Sequence, residues 1–306
     1  MGELVVTLVL FGCSFPAYKL ATDGFGVGTV VAARFAVASA VMVAISRGLP
    51  SLPVALWRRL LLIGAVGLGG QALAMTAGID AGTSTLGALI LGLEPIGVAV
   101  AAVLVAGERP GRATVAGLGL GLAGVAVVSG LFTAGVSGVE AAVGYLLLTV
   151  VLFSLYAVQV RRWSGQVDAA AVAVVTSLGA AAATLPLVVL DAVRGGVLQG
   201  DVHASAVAGA AYLGVGTGVA YLLFAHVLSR LDASRFAVAM YAVPTIGVIA
   251  SWVVLGERPL ARDVVGGAMI LAAVWVAENR RTVPDVGVEL AGVTDASENR
   301  AGTEPE

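Results

Sequence analysis

The sequence predicts an all-α polytopic membrane protein with ten transmembrane helices arranged as two inverted five-helix repeats. Three observations carry this expectation. The 306 residues are 59% hydrophobic and 12% charged, with a mean hydropathy of +1.00, whereas a soluble domain carries about 25% charge. Ten stretches approach the roughly 20 apolar residues needed to cross a bilayer. The chain also matches itself at an offset of 149 residues. The same composition argues against a nucleic-acid binder, because 17 Lys+Arg face 19 Asp+Glu and form no basic stripe. A single cysteine, Cys13, excludes an intrachain disulfide framework.

The first stretch, residues 3–20, has no basic leading segment and carries Pro16 and Lys19 near its end. It therefore reads as a span rather than a cleavable signal. Asp23-Gly24 separates it from 27–46, which Arg47-Gly48-Leu49-Pro50 closes. The third span, 59–79, begins at Arg58-Arg59 and stops at Asp80-Ala81-Gly82. The fourth and fifth, 83–106 and 110–131, flank Gly107-Glu108-Arg109-Pro110. The sixth, 139–160, ends at Arg161-Arg162, and the seventh, 168–190, at Arg194-Gly195-Gly196. The eighth, 204–228, ends at Ser229-Arg230-Leu231-Asp232. The ninth and tenth, 236–255 and 260–278, flank a second Gly-Glu-Arg-Pro at Gly256–Pro259. Both copies suit a tight hairpin, with glycine in the left-handed position after one helix and proline at the first position of the next. Residues 282–306 hold six acids against Arg300 and no apolar period, and are expected to form a disordered cytoplasmic tail.

Orientation follows from basic residues at alternate span ends. With the N-terminus inside, eleven fall on the cytoplasmic side, from Arg47 to Arg281, and four outside: Lys19, Arg194, Arg258 and Arg262. Both termini are thus expected in the cytoplasm, and the protein in a cell (inner) membrane.

Pro95–Val125 and Pro244–Val274 share 12 identities in 31 aligned positions, where about three or four would arise by chance in so biased a composition. Each half, 1–135 and 136–281, then holds five spans, and an odd number inserts the second copy upside down. Phe11-Gly12-Cys13-Ser14-Phe15-Pro16-Ala17-Tyr18-Lys19, Ala33-Arg34-Phe35, Leu93-Glu94-Pro95 and the repeated Gly-Glu-Arg-Pro resemble the EamA branch of the drug/metabolite transporter superfamily. The resemblance covers residues 1 to about 281 and implies export or exchange of small metabolites such as amino acids without ATP hydrolysis. It departs from duplication at one place, where Val243-Pro244 replaces Glu94-Pro95.

Candidate site residues come from what is costly in lipid. Pro95 and Pro244 sit at matching positions within spans, and each leaves one carbonyl, of Leu91 or Met240, without its N–H partner. Matched breaks point to a transport site. Arg34 and Glu94 are the charges deep within spans, each costing about 2.5–3.5 kcal/mol at the centre. Opposite signs at similar depth are expected to pair as a clamp between spans two and four, or to serve proton coupling or substrate contact. Gln71, Tyr145, Tyr156, Tyr212, Tyr221, Tyr241 and Thr245 complete the substrate-binding candidates; Gln159 and His226 read as interhelical or interfacial polar groups. Gly119-Leu120-Gly121-Leu122-Ala123-Gly124 fits a dinucleotide fingerprint, but it lies within an apolar span with no strand before it. Gly117 and Gly121 read instead as close helix packing. Gly135-Val136-Ser137-Gly138 has no histidine placed to serve as its base, so no catalytic role is expected. No cofactor box or metal-ligand cluster is found, and the expected partners are a small-molecule substrate and lipid, with room for a homo-oligomer. A nonspecific drug exporter and a non-transporting structural or regulatory membrane protein stand as alternatives.

Overall fold

The computed structural model describes residues 2–105, 107, 109–130, 139–163, 166–198, 202–228 and 239–279. The expected tail and Ser137 lie outside them, as do Glu108 of the first Gly-Glu-Arg-Pro, Arg230, Arg235, Arg280 and Arg281. Among the described residues the chain is helical. Its one β feature is an isolated antiparallel bridge between Phe25 and Leu198.

In order, the helices are α1 (Gly2–Gly12), α2 (Ser14–Thr22), α3 (Val27–Ile45), α4 (Val54–Ile63), α5 (Gly70–Ala81), α6 (Ser84–Leu91), α7 (Glu94–Val105), α8 (Arg112–Val128), α9 (Val139–Arg161), α10 (Ala169–Val193), α11 (Ala204–Leu228), α12 (Ala242–Leu255) and α13 (Ala261–Asn279). Helix therefore occupies part of each of the ten expected stretches. Six continuous stretches are long and apolar enough to span: Gly2–Thr22, Val27–Ile45, Val54–Ala81, Val139–Arg161, Ala169–Val193 and Ala204–Phe224. The pair α6 and α7, bent by 42°, would make a seventh, while α8 and α12 are shorter apolar helices. This is a multi-pass membrane architecture.

The third stretch starts at Val54 rather than 59, because Pro53 opens the helix and its carbonyl accepts from Trp57. In its middle, Gly64–Gly69 forms a π-helical segment. Gly64 there lies against the backbone of Thr176, and Gly179 against that of Leu61, so α4 and α10 meet main chain to main chain. Gly117 and Gly124 do the same against α13; a Cβ at Gly124 would sit 2.9 Å from the Gly266 carbonyl. The dinucleotide-like run is thus a packing face. Gly107 (φ 75°) and Gly256 (φ 72°) are left-handed as expected. Pro110 and Pro259 are not at the first helical position: α8 and α13 begin two residues later. At Leu260 the backbone N–H is taken by Asp263 Oδ2 at 2.8 Å, a cap that sets the helix start beyond the proline.

Polar contacts sort the helix ends into two groups. At one end, Lys19 Nζ donates to the carbonyls of Asp80 (2.9 Å) and Gly82 (3.3 Å). Glu257 accepts from the N–H groups of Ser84 (3.1 Å) and Thr85 (2.8 Å) and from Thr85 Oγ1 (2.6 Å), capping the start of α6. Asp191 Oδ2 accepts from Thr29 N–H (2.8 Å) and Thr29 Oγ1 (2.9 Å) at the start of α3. Carboxylates belong at helix N-termini, where free N–H groups and the dipole favour them. At the opposite end His226 lies 3.6 Å from Glu3, and the turn Ser46–Pro50 faces Asp168–Ala171. Helix α3 thus runs from the first end to the second, and α10 the reverse. One buried apolar cluster, including Phe15, Tyr18, Ile90, Leu213, Ile270 and Ala273, draws on both halves of the chain.

Candidate functional site

The deepest charge organises the site. Arg34 projects from the middle of α3 and is 7% exposed. Its Nε donates to Thr217 Oγ1 of α11 at 2.9 Å. Its guanidinium carbon lies 5.1 Å from the ring centroids of both Tyr18 and Phe35. Such cation–π contacts are each worth about 0.5–2 kcal/mol, which offsets part of the cost of holding a charge at this depth. Arg34 Nη1 and the Tyr18 hydroxyl, both buried, have no hydrogen-bond partner among the described residues. Arg34, but not Tyr18, borders a cavity of about 10 Å³, bounded also by Phe11, Ser14, Tyr212, Gly216 and Thr217. That is space for about one water. Helices α1 and α2 supply one wall, α3 another and α11 the third.

Glu94 is placed differently from the clamp expected. The span holding Pro95 is not a kinked continuous helix. It stops at Gly92-Leu93 and restarts at Glu94, so Glu94 lies half-buried in the first turn of α7, where the helix dipole favours it. No ion pair within 4.0 Å joins it to Arg34 among the described residues. Tyr221 of α11 meets Phe11 edge-on at 5.8 Å. In the second half the helix breaks at Tyr241, which is Gly92 displaced by 149. The two breaks face each other: a Cβ on Gly92 would lie 3.5 Å from Pro244 Cγ. Pro244 is buried in that packing and Pro95 is half-buried; neither borders the cavity at Arg34.

The remaining candidates divide. Tyr212 borders the cavity, its hydroxyl donating to the Leu10 carbonyl at 3.1 Å. Tyr156 pairs with Thr176 Oγ1 at 3.2 Å, and Gln71 is buried with Nε2 3.8 Å from Met75 Sδ. Tyr241 lies at the second break. Tyr145 and Thr245 are not inside. Tyr145 is 45% exposed and shares a stripe with Leu148, Val151 and Leu155, three or four residues apart on the outer face of α9. Thr245 is exposed on α12 in line with Ile249 and Trp252. Sequence reasoning missed Ser14, Tyr18 and Thr217 as site residues. Ser14 and Tyr18 are four apart on α2, and Thr217 is bracketed by Gly214, Gly216 and Gly218; both patterns were legible but common in membrane helices.

With this geometry in place, comparison with known proteins decides the family. The profile of the EamA-like transporter family matches residues 3–130 and again 141–278. The chain belongs to the EamA-like transporter family. A similar protein from Streptantibioticus cattleyicolor, described as a "Probable terminal-alkyne amino-acid exporter", is 27% identical over 291 residues, covering 92% of this chain and 93% of the relative. A crystal structure matches with a TM-score of 0.59 and 23% identity, covering 89% of this chain and 98% of its own, which shows a shared fold. The EamA-like chain is therefore a multi-pass membrane transporter, and members of its family are transporters rather than enzymes.

Proposed function

We propose that this protein is a secondary exporter or exchanger of small metabolites such as amino acids, working by alternating access between two inverted five-helix repeats, residues 1–135 and 136–281. The observation that carries this reading is the Arg34 cavity, where α2 and α3 of one half meet α11 of the other around polar groups left unpartnered. A charge at this depth costs about 2.5–3.5 kcal/mol, and here it borders a cavity between the two halves, as a substrate-contacting group would. The two family matches and the antiparallel running of α3 and α10 support the inverted repeat. The eleven-to-four basic asymmetry supports cytoplasmic termini and the inner membrane. Ten spans follow if α8, α12 and α13 cross the bilayer, with α6 and α7 as one broken span. The substrate path would run past Arg34, Tyr212 and Tyr221, with Glu94, Pro95, Tyr241 and Pro244 at the two helix breaks and Gln71 and Tyr156 beside the π-helical segment. Counterflow in proteoliposomes tests the reading. Vesicles preloaded with an unlabelled amino-acid mixture should accumulate external labelled amino acid transiently, without ATP. Absence of exchange for every amino acid and amine offered would refute it.

A further inference from the structure

Resting on that transport reading, we infer that the Arg34 pocket is a carboxylate-binding subsite that selects substrates bearing an α-carboxylate next to an apolar side chain. Arg34 has its Nε committed to Thr217 and its face covered by Tyr18 and Phe35, so its orientation is fixed. What remains is Nη1, a buried donor with no acceptor among the described residues, on a side chain that borders the cavity. The Tyr18 hydroxyl, on the ring beneath the guanidinium, is a second buried donor without a partner. An unclaimed donor on a positively charged side chain at the cavity calls for an anion, with the Tyr18 hydroxyl in reserve behind the guanidinium, and a carboxylate presents two acceptor oxygens to such a group. The nearby acid does not fill this role, because Glu94 makes no ion pair with Arg34. Leu10, Phe11, Leu213 and Ala220 make the apolar part of the lining, and Ser14, Tyr212 and Thr217 its neutral polar part, which suits a hydrocarbon side chain rather than a second charge. At about 10 Å³ the pocket has room for about one water, so a carboxylate enters only when the helices around it separate.

The test separates carboxylate recognition from transport. Proteoliposomes are preloaded with the twenty amino acids, the primary amines that match the apolar ones, and the corresponding amine-free acids, and exchange is read by mass spectrometry. Wild-type protein should exchange apolar amino acids at least about tenfold faster than the matching amines, a difference of about 1.4 kcal/mol. Arg34→Gln should reduce that preference to near unity, and Arg34→Lys should retain part of it. Tyr18→Phe, which keeps the ring over the guanidinium, should lower exchange of the acids about fivefold and leave the amines unchanged. It decides the matter if Arg34→Gln does not fold. Tyr145→Phe, on the lipid face, should match wild type. Equal exchange of amines and amino acids by wild type overturns the inference and leaves transport standing, as does an unchanged preference in Arg34→Gln or in Tyr18→Phe. Replacing chloride with methanesulfonate, which has no carboxylate, should change nothing; a lost preference would assign the subsite to chloride and also overturn it. If no compound exchanges at all, the transport reading falls and takes this inference with it.

Discussion

At the scale of single residues, separation decides between the roles open to Arg34 and Glu94. A buried clamp would lose about 3–5 kcal/mol when either partner is removed and would show strong coupling in a double-mutant cycle. The two groups form no ion pair here; Arg34 is held by Thr217 and two aromatic rings instead. The cycle of Arg34→Ala with Glu94→Ala, followed by thermal melting in detergent, should therefore give a coupling energy below about 1 kcal/mol. Coupling of several kcal/mol would restore the clamp. Thr217→Val is the complementary experiment. It strands Nε of a buried guanidinium, so it should destabilise the protein by about 1–3 kcal/mol, whereas Thr245→Val, on an exposed face, should be near neutral. The outward placement of Tyr145 and Thr245 has a physical origin. In a soluble helix the polar face marks the outside, but in lipid both faces are apolar, so periodicity carries little direction. The costly groups were legible in the sequence; which of them meet was not, because that depends on helix rotation.

At the scale of helices, breaks and caps were easier to read than starts. Proline placed the break near 91–95, yet the chain releases at Gly92-Leu93 and lets Pro95 sit in the first turn of α7, where its missing N–H costs nothing. The sequence marked the proline, and glycine three residues ahead decided where the helix ended. The close packing of α8 on α13 makes a sharp prediction from two glycines of one helix. A Cβ at Gly124 would meet the Gly266 carbonyl and Ile270, both at 2.9 Å, while one at Gly119 would meet nothing within 4 Å. Gly124→Ala should force the helices apart and lower stability by about 1–3 kcal/mol. Gly119→Ala should be neutral or stabilise by up to about 1 kcal/mol through helix propensity. Equal effects of the two substitutions in a melting assay would contradict the packing described. The caps at one end of the bundle lend themselves to a third test. Glu257 follows α12 but satisfies donors at the start of α6. Glu257→Ala should loosen that end and raise the labelling rate of a cysteine at position 82, in a Cys13→Ser background, by about tenfold. Opening by less than twofold would show that apolar packing alone keeps the end shut.

At the scale of the whole molecule, the two ends of the bundle differ in what closes them. Among the described residues, Lys19, Asp191 and Glu257 each tie one helix end to another at the first end, whereas the second carries a His226–Glu3 contact at 3.6 Å and the turn Ser46–Pro50 facing Asp168–Ala171. The tied end holds Lys19, Arg194 and Arg258, three of the four basic residues that the charge asymmetry assigns to the outside. The proposed orientation and the proposed inversion then make separable predictions at two equivalent positions, Gly111 and Leu260, which follow the two Gly-Glu-Arg-Pro turns at an offset of 149. Inversion requires them on opposite sides of the membrane whichever way the protein faces. Orientation, set by the basic count, requires 260 outside. Single cysteines at 111 and at 260 in a Cys13→Ser background, probed in intact cells with a membrane-impermeant maleimide, should label at 260 and not at 111. Both should label once the cells are permeabilised. Labelling at 111 alone would reverse the orientation and leave the inversion intact. Labelling of both from outside, or of neither until permeabilisation, would put the two turns on one side and remove the inverted repeat, and with it the rocking mechanism that depends on it.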